Sequence, residues 1–252
     1  MTRGRYRGVL LDLFGTLVGV DDERLPALCV GGRTVRTTVA GLGPLLARWL
    51  PGTSIEAFWE AFVVVSEALA RERAGDHVEL PSRERFRRVL LRLGCAPDAL
   101  PEAAVQLSRA HLAMIAGATV LPPVHRTLLA ALRRSHRLGL VSNFDDTGTA
   151  YEILARHDVL RFLDTVVVSE ALGLRKPHPA PIRAALAALD LGAHEVLFVG
   201  DTLTEDVAAA RAAGVDAAWI DARGTGCPAD ATAPRHVLRC LAEVAAIVGV
   251  PL

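Results

Sequence analysis

From about residue 119 onward the chain alternates short apolar runs with helical ones, and this alternation is the strongest constraint on its fold. Leu138-Gly139-Leu140-Val141, Val166-Val167-Val168, Val196-Leu197-Phe198-Val199 and Ala217-Ala218-Trp219-Ile220 are apolar throughout and too short for helices. Strands buried on both faces read this way, so the pattern predicts an α/β fold, a parallel sheet covered by helices on each side. The intervening helices are expected over 122–136, 149–157, 179–190 and 204–213, with a closing helix over 238–248.

An earlier run of the same kind, Val9-Leu10-Leu11, leads straight into Asp12-Leu13-Phe14-Gly15-Thr16-Leu17. Ligands of parallel sheets gather at the carboxyl ends of the strands. A carboxylate there, before a Gly-Thr turn whose N–H groups can approach an anion closely, suits a nucleophile for phosphoryl or acyl-like centres. The plainer reading is a turn or helix entry, a common use of Asp before Gly-Thr.

Three later runs also end in polar residues. Ser142-Asn143 follows the first; Ser169-Glu170 and Gly173-Leu174-Arg175-Lys176-Pro177 follow the second; Gly200-Asp201, with Glu205 and Asp206 a turn later, follows the third. These four segments, in this order, resemble the four motifs of the haloacid dehalogenase superfamily. The resemblance covers the core at both ends of the chain but not its middle. It implies a Rossmann-like three-layer core in which Asp12 attacks the substrate and Ser142 and Lys176 serve the reaction. Gly15, Thr16, Ser142, Asn143 and Lys176 would bind phosphate. Mg²⁺ would be held by Asp12, Asp201 and the main-chain carbonyl of Phe14, with Asp206 and Glu205 behind. The superfamily's phosphatases usually read Asp-x-Asp-Gly-Thr, so Phe14 departs from them. Phe can neither give nor take a proton, and a positioned acid/base is worth about 10²–10⁴-fold in rate. Either Asp145, Asp146 or a cap residue takes over, or the leaving group needs no acid, or the reaction is a dehalogenation through an aspartyl ester. The superfamily's dehalogenases carry an aromatic residue at that place and need no metal. Against them stands Asp201, because carboxylates facing a carboxylate nucleophile repel unless a cation lies between.

Residues 18–117 read as mostly helical, over 42–50, 55–73, 82–93 and 102–116, which is too much for a loop. The stretch resembles the helical cap that the superfamily inserts after its first motif, so the expected division is 1–17 with 118–252 as catalytic core and 18–117 as cap. Before these helices, Leu28-Cys29-Val30-Gly31-Gly32-Arg33-Thr34-Val35-Arg36 reads as a hairpin with a Gly-Gly turn. Arg33 or Arg36 would grip a substrate anion or be solvated hairpin charges. Phe58, Trp59 and Phe62 have helical spacing and read as packing residues.

The plain alternatives are specific. Asp206 would be a first-turn acid favoured by the helix dipole, Ser142 with Asp145 and Asp146 an N-cap region, and Lys176 a solvated loop charge. The eight histidines show no metal-ligand spacing and read as surface or helix-end residues, His178 beside Lys176 being the one of interest. Lys+Arg and Asp+Glu are both 28 in 252 residues, with mean hydropathy +0.32. This balance favours a small-molecule substrate; nothing in it suggests nucleic acid, since a polyanionic partner would need a local basic patch, and none is seen in the sequence. Cys29, Cys95, Cys227 and Cys240 are scattered without C-x-x-C spacing, as expected of a reduced cytoplasm. The basic amino terminus precedes an apolar stretch that breaks at Asp12, too short for a signal or a membrane span. The sequence thus predicts a cytoplasmic hydrolase, monomeric or homodimeric. The first expectation is a Mg²⁺-dependent phosphatase acting on a small phosphorylated metabolite; the alternatives are a 2-haloacid dehalogenase-type hydrolase and a weakly active or non-enzymatic binding module.

Overall fold

The computed structural model describes residues 5–226 and 233–252, and Cys227 lies outside them. The chain forms two compact units, a core of residues 1–19 with 120–252 and an inserted unit of residues 20–119. The first strand, β1 (Gly8–Leu11), precedes the crossing into the inserted unit at β2 (Gly19–Val20). The inserted unit holds β3 (Ala27–Val30), β4 (Arg33–Arg36), α1 (Gly43–Trp49), α2 (Ile55–Asp76), α3 (Ser82–Arg92) and α4 (Leu100–Ala118). The chain returns through β5 (Thr119–Val120) and continues as α5 (Pro123–Leu132), β6 (Arg137–Ser142), α6 (Thr147–Arg156), β7 (Thr165–Val168), α7 (Ser169–Leu172) and α8 (Ala180–Leu189). It ends with β8 (Val196–Gly200), α9 (Ala208–Ala212), β9 (Asp216–Ile220), β10 (His236–Leu238) and α10 (Val244–Val248). Among the described residues, no helix is long and apolar enough to cross a membrane.

The core is one parallel sheet of order β10-β9-β8-β1-β6-β7. Strand order reverses at β1: the chain first builds outward through β6 and β7, then returns to add β8, β9 and β10 on the other side. The crevice at such a reversal is where parallel sheets bind ligands. The register pairs Leu11 with Leu140 on β6 and Val199 on β8, so the next residue, Asp12, lies level with the strand ends Val141 and Gly200. All four residues of β1 are buried, as are all five of β8, which explains their unbroken apolar runs.

Two details depart from the sequence expectation. Residues 236–238 form an edge strand rather than the start of the closing helix, which is confined to Val244–Val248. The alternation of Val237 outward and Leu238 inward is too short a strand signal to separate from a helix start. The Ala-rich helix begins with a π turn over Leu203–Val207, and only Ala208–Ala212 is α-helical.

In the inserted unit, α2 starts at Ser54, whose hydroxyl accepts from the Ala57 N–H at 3.1 Å, and buries Phe58, Ala61, Val65 and Leu69 at helical spacing. β3 and β4 pair antiparallel across Gly31 and Gly32, both at positive φ, as the two-residue turn requires. Arg36 of this hairpin is held by Glu23 at 2.5 Å and by the Leu25 carbonyl at 3.2 Å. His111, His125 and His136 are buried rather than on the surface, although His125 lies at a helix end, in the first turn of α5. An isolated histidine carries no periodic signal, so its burial is decided by its neighbours. His111 packs edge-on against Phe86 with ring centroids 5.3 Å apart, beside Phe62, and its Nδ1 lies 2.6 Å from Thr38 Oγ1.

Burial, with the charge of Arg85 nearby, pushes the His111 pKa down to about 3. The unfolded chain takes up this proton near the ordinary histidine value, about 6.5, so between the two values it binds more protons than the folded unit. The histidine's contribution is therefore complete above about pH 6.5 and is lost as pH falls toward 3, at no more than about 1.4 kcal/mol per pH unit. In acid titrations followed by circular dichroism, His111→Leu is expected to flatten this part of the stability profile. An unchanged slope would show that His111 is not the group that titrates.

Candidate active site

The site is assembled at the carboxyl ends of β1, β6 and β8. Asp12 leaves β1 with its N–H still bonded to the Val199 carbonyl at 2.9 Å, which carries its carboxylate to the crevice while the residue stays 7% exposed. The turn that follows needs Gly15: its φ is +76°, and a Cβ built there would lie 2.2 Å from Asp201 Oδ2. Gly200 serves the same end on β8, because a Cβ there would stand 2.4 Å from Asp206 Cγ. Glycine at these two places lets two acidic side chains close on β1.

Lys176 is 1% exposed and its ammonium is fully occupied. Nζ lies 2.5 Å from Asp12 Oδ1 and 2.7 Å from Asp206 Oδ1, donates to the Val141 carbonyl at 2.9 Å, and sits 5.3 Å from the centre of the Phe198 ring. It is therefore no solvated loop charge. Asp206 is a first-turn acid of the helical segment Leu203–Val207, accepting from the N–H of its N-cap Thr202 at 3.0 Å, and its other oxygen is on the lysine. Asp201 is half-buried, and Trp219 Nε1 donates to its carbonyl at 2.9 Å.

Carboxylate oxygens of Asp12, Asp201 and Asp206 lie within 4.8 Å of one another. The one ammonium among them pairs directly with two, Asp12 and Asp206. Burial drives the Asp12 pKa up, to about 7, and the charges of Asp206 and Asp201 add to this while Lys176 opposes it. Burial and Asp206 also raise Asp201. Lys176 resists its own burial because Asp12 and Asp206 hold it charged, well above the ordinary lysine value. The cluster is short of positive charge, and a hard divalent cation bound by oxygen is the group that such a donor set fits.

Two hydroxyls at the same end of the sheet, Thr16 Oγ1 and Ser142 Oγ, are buried without a hydrogen-bond partner. A buried polar group left unpaired costs about 1–3 kcal/mol, so each calls for an acceptor from outside the chain. Asn143 is different: Oδ1 accepts from the Lys176 N–H at 2.8 Å, and Nδ2 donates to the Lys176 carbonyl at 2.9 Å and to Glu205 Oε2 at 3.0 Å. Its side chain holds the lysine loop instead of facing an anion. Glu205 also meets Arg175 at 3.3 Å.

The candidate substitutes for a proton carrier are partly committed elsewhere. Asp146 caps α6 by accepting from the Thr149 N–H at 2.7 Å, and Asp145 is buried. His178 Nδ1 accepts from the Ala180 N–H at 3.1 Å, a local turn. Sequence reasoning missed Phe144, whose ring centre lies 5.1 Å from that of Phe14; Ser169 Oγ fixes its main chain at 3.0 and 3.2 Å. The two residues follow adjacent strands, so the crevice has an aromatic wall on this side. A cavity of about 360 Å³ beside Asp201 is lined also by Gly15, Trp219, Asp221, Arg223 and Thr225.

Comparison with known proteins agrees with this arrangement. Residues 6–214 match the family model of haloacid dehalogenase-like hydrolases. Among similar sequences, a plasmid-encoded phosphoglycolate phosphatase of Cupriavidus necator is 36% identical over 131 residues, 51% of this chain and 56% of that enzyme's length. A phosphoglycolate phosphatase of Cereibacter sphaeroides is 34% identical over 179 residues, 66% of this chain and 79% of that enzyme. Among solved structures, a 2-haloacid dehalogenase from Pseudomonas syringae pv. tomato superposes with a TM-score of 0.70 at 22% identity, covering 97% of this chain and 98% of the other, which establishes likeness of fold. With a matched span from Tyr6 to Gly214 that includes Asp12, Ser142, Lys176, Asp201 and Asp206, the chain belongs to the haloacid dehalogenase-like hydrolases.

Proposed function

We propose that the protein is a Mg²⁺-dependent phosphatase of small phosphorylated metabolites. One observation carries this reading: three carboxylates converge while a single buried ammonium pairs with only two of them, a charge balance that suits a bound divalent cation and a phosphate dianion. The phosphatase names of the sequence relatives support it, as do the two unpaired hydroxyls, since a phosphate offers acceptor oxygens to both. The adjoining cavity is of a size for small ligands.

In this reading a carboxylate oxygen of Asp12 attacks phosphorus, the bond to the leaving oxygen breaks, and water then hydrolyses the aspartyl-phosphate, releasing phosphate and restoring the carboxylate. Lys176 holds Asp12 in place and offsets charge on the nucleophile. Ser142 and Thr16 donate to nonbridging oxygens. Asp206 holds the lysine from behind. Asp12, Asp201 and the main-chain carbonyl of Phe14 are the groups assigned to Mg²⁺, which supplies charge neutralisation for the phosphate and its nucleophile. The inserted unit, which enters the chain between Asp12 and Ser142, is assigned the choice of substrate.

The aromatic pair Phe14 and Phe144 favours a second reading, hydrolytic dehalogenation through an aspartyl ester. Hydrolysis of an aryl phosphate and of a 2-haloacid, each with Mg²⁺ and with chelator, separates the two. Phosphate release that requires the metal supports the phosphatase; halide release indifferent to chelator overturns it, and silence with both substrates transfers weight to a binding role. Phe14→Asp is expected to raise phosphate release by about 10²-fold or more at saturating Mg²⁺, the range of a restored acid/base. An unchanged or lower rate would mean that position 14 is not where the proton is lost or gained.

A further inference from the structure

Asn143 has one acceptor and two donor hydrogens in its side chain, and all of them are taken within the protein. They bond the N–H of Lys176, the carbonyl of Lys176 and a carboxylate oxygen of Glu205, at 2.8, 2.9 and 3.0 Å. The other Glu205 oxygen meets the Arg175 guanidinium at 3.3 Å, and the neighbouring Asp206 meets the Lys176 ammonium at 2.7 Å. Two consecutive basic residues are therefore gripped by two consecutive acidic ones, with Asn143 between them.

The π turn makes this possible. Asp206 N–H and Val207 N–H both bond the Thr202 carbonyl, at 2.8 and 3.3 Å, which widens the turn at the residues in question. Successive side chains on a helical turn point about a quarter-turn apart, so one acid reaches the lysine head while the next faces the lysine main chain through the amide. An ammonium on a flexible four-carbon stem is only as well placed as the backbone that carries it.

We infer that Asn143 and Glu205 are positioning residues that lock the main chain of Lys176, so that its ammonium is delivered to Asp12 from a fixed backbone. This rests on the reading of Lys176 as the charge beside the nucleophile. It also assigns the second polar residue after β6 to the lysine loop instead of to the substrate.

The test is a double-mutant cycle with a structural readout. Asn143→Ala is expected to lower kcat for an aryl phosphate about 10–100-fold, the range for groups that orient a catalytic partner, with KM little changed. Glu205→Ala should act in the same direction. Glu205→Gln should largely restore activity, because its amide carbonyl still accepts from Asn143. In a Lys176→Met background, Asn143→Ala should cost nothing further, because the group it positions is gone. In crystals of Asn143→Ala, Lys176 Nζ should lie beyond about 3.5 Å from Asp12. An equal fold-loss with and without Lys176, or an unmoved Nζ with unchanged kcat, overturns the inference. If the wild-type protein releases halide instead of phosphate, the phosphatase reading fails and the same cycle is read on halide. If it releases neither, the position of Nζ in the Asn143→Ala and Glu205→Gln crystals decides alone.

Discussion

Replacing Asp12 by Asn is expected to abolish turnover, by at least about 10⁴-fold, and to leave the fold standing, because an amide of the same shape cannot attack phosphorus or carbon in its place. The structural cost is small. Lys176 keeps Asp206 and the Val141 carbonyl as partners. The substitution also removes one of three crowded carboxylates, whose mutual repulsion contributes to the raised pKa of Asp12. The melting temperature should therefore hold or rise in metal-free buffer while activity disappears. Intact-mass measurement after brief exposure to substrate checks the same point chemically: a phosphoryl adduct on the wild-type protein and none on the variant. A variant that keeps more than about 1% of wild-type turnover would place the nucleophile elsewhere.

Much of this crevice is legible in the amino-acid sequence, for a physical reason. In a parallel sheet the carboxyl ends of the strands fall along one edge, so polar residues that terminate apolar runs are brought together whatever their separation in sequence. Asp12, Ser142 and Asp201 each terminate such a run. Lys176 does not, and its place came only from the order of the segments; its loop is carried to the sheet by Asn143, 33 residues away. What Asn143 does could not be read, because an amide after a serine suits an anion as well as a backbone, and only the fold decides which is within reach. Leu203–Val207 was legible as helix but not as a π turn, since a single turn is too short to show an apolar period of its own. The division at residues 19/20 and 119/120 follows from a different signal, a long helical stretch set into an alternating pattern, and its edges lie two residues from those read in sequence. Phe144 was passed over because a single aromatic residue after a strand has no partner until β1 and β6 lie side by side.

Lys176→Met is expected to destabilise the core as well as slow the reaction to a low residual rate. Methionine fills the space of the stem, but Asp12 and Asp206, both buried, lose the cation between them. Removing one partner of a buried ion pair costs about 3–5 kcal/mol. At roughly 2–4 °C per kcal/mol for a chain of this size, the apparent melting point of the core should fall by on the order of 10 °C in chelator. The loss should depend on pH in a definite direction. The Asp12 carboxyl, already pushed up to about 7 in the folded protein, rises further without Lys176. A carboxyl whose folded pKa exceeds its unfolded one is most favourable to the fold below the unfolded value, near 4, and that advantage is lost as pH rises through the folded value. The variant should thus lie nearest the wild type at about pH 5 and fall furthest behind it at about pH 8. If a divalent cation belongs to the acidic cluster, Mg²⁺ should return part of the lost stability at pH 8, since a ligand bound only by the folded state raises its melting point. Thermal melts of both proteins at the two pH values, with Mg²⁺ and with chelator, decide this. Equal melting points at pH 8 in chelator would mean that the carboxylates are not held together by Lys176, and a Mg²⁺ effect absent from both proteins would remove the cation from the cluster.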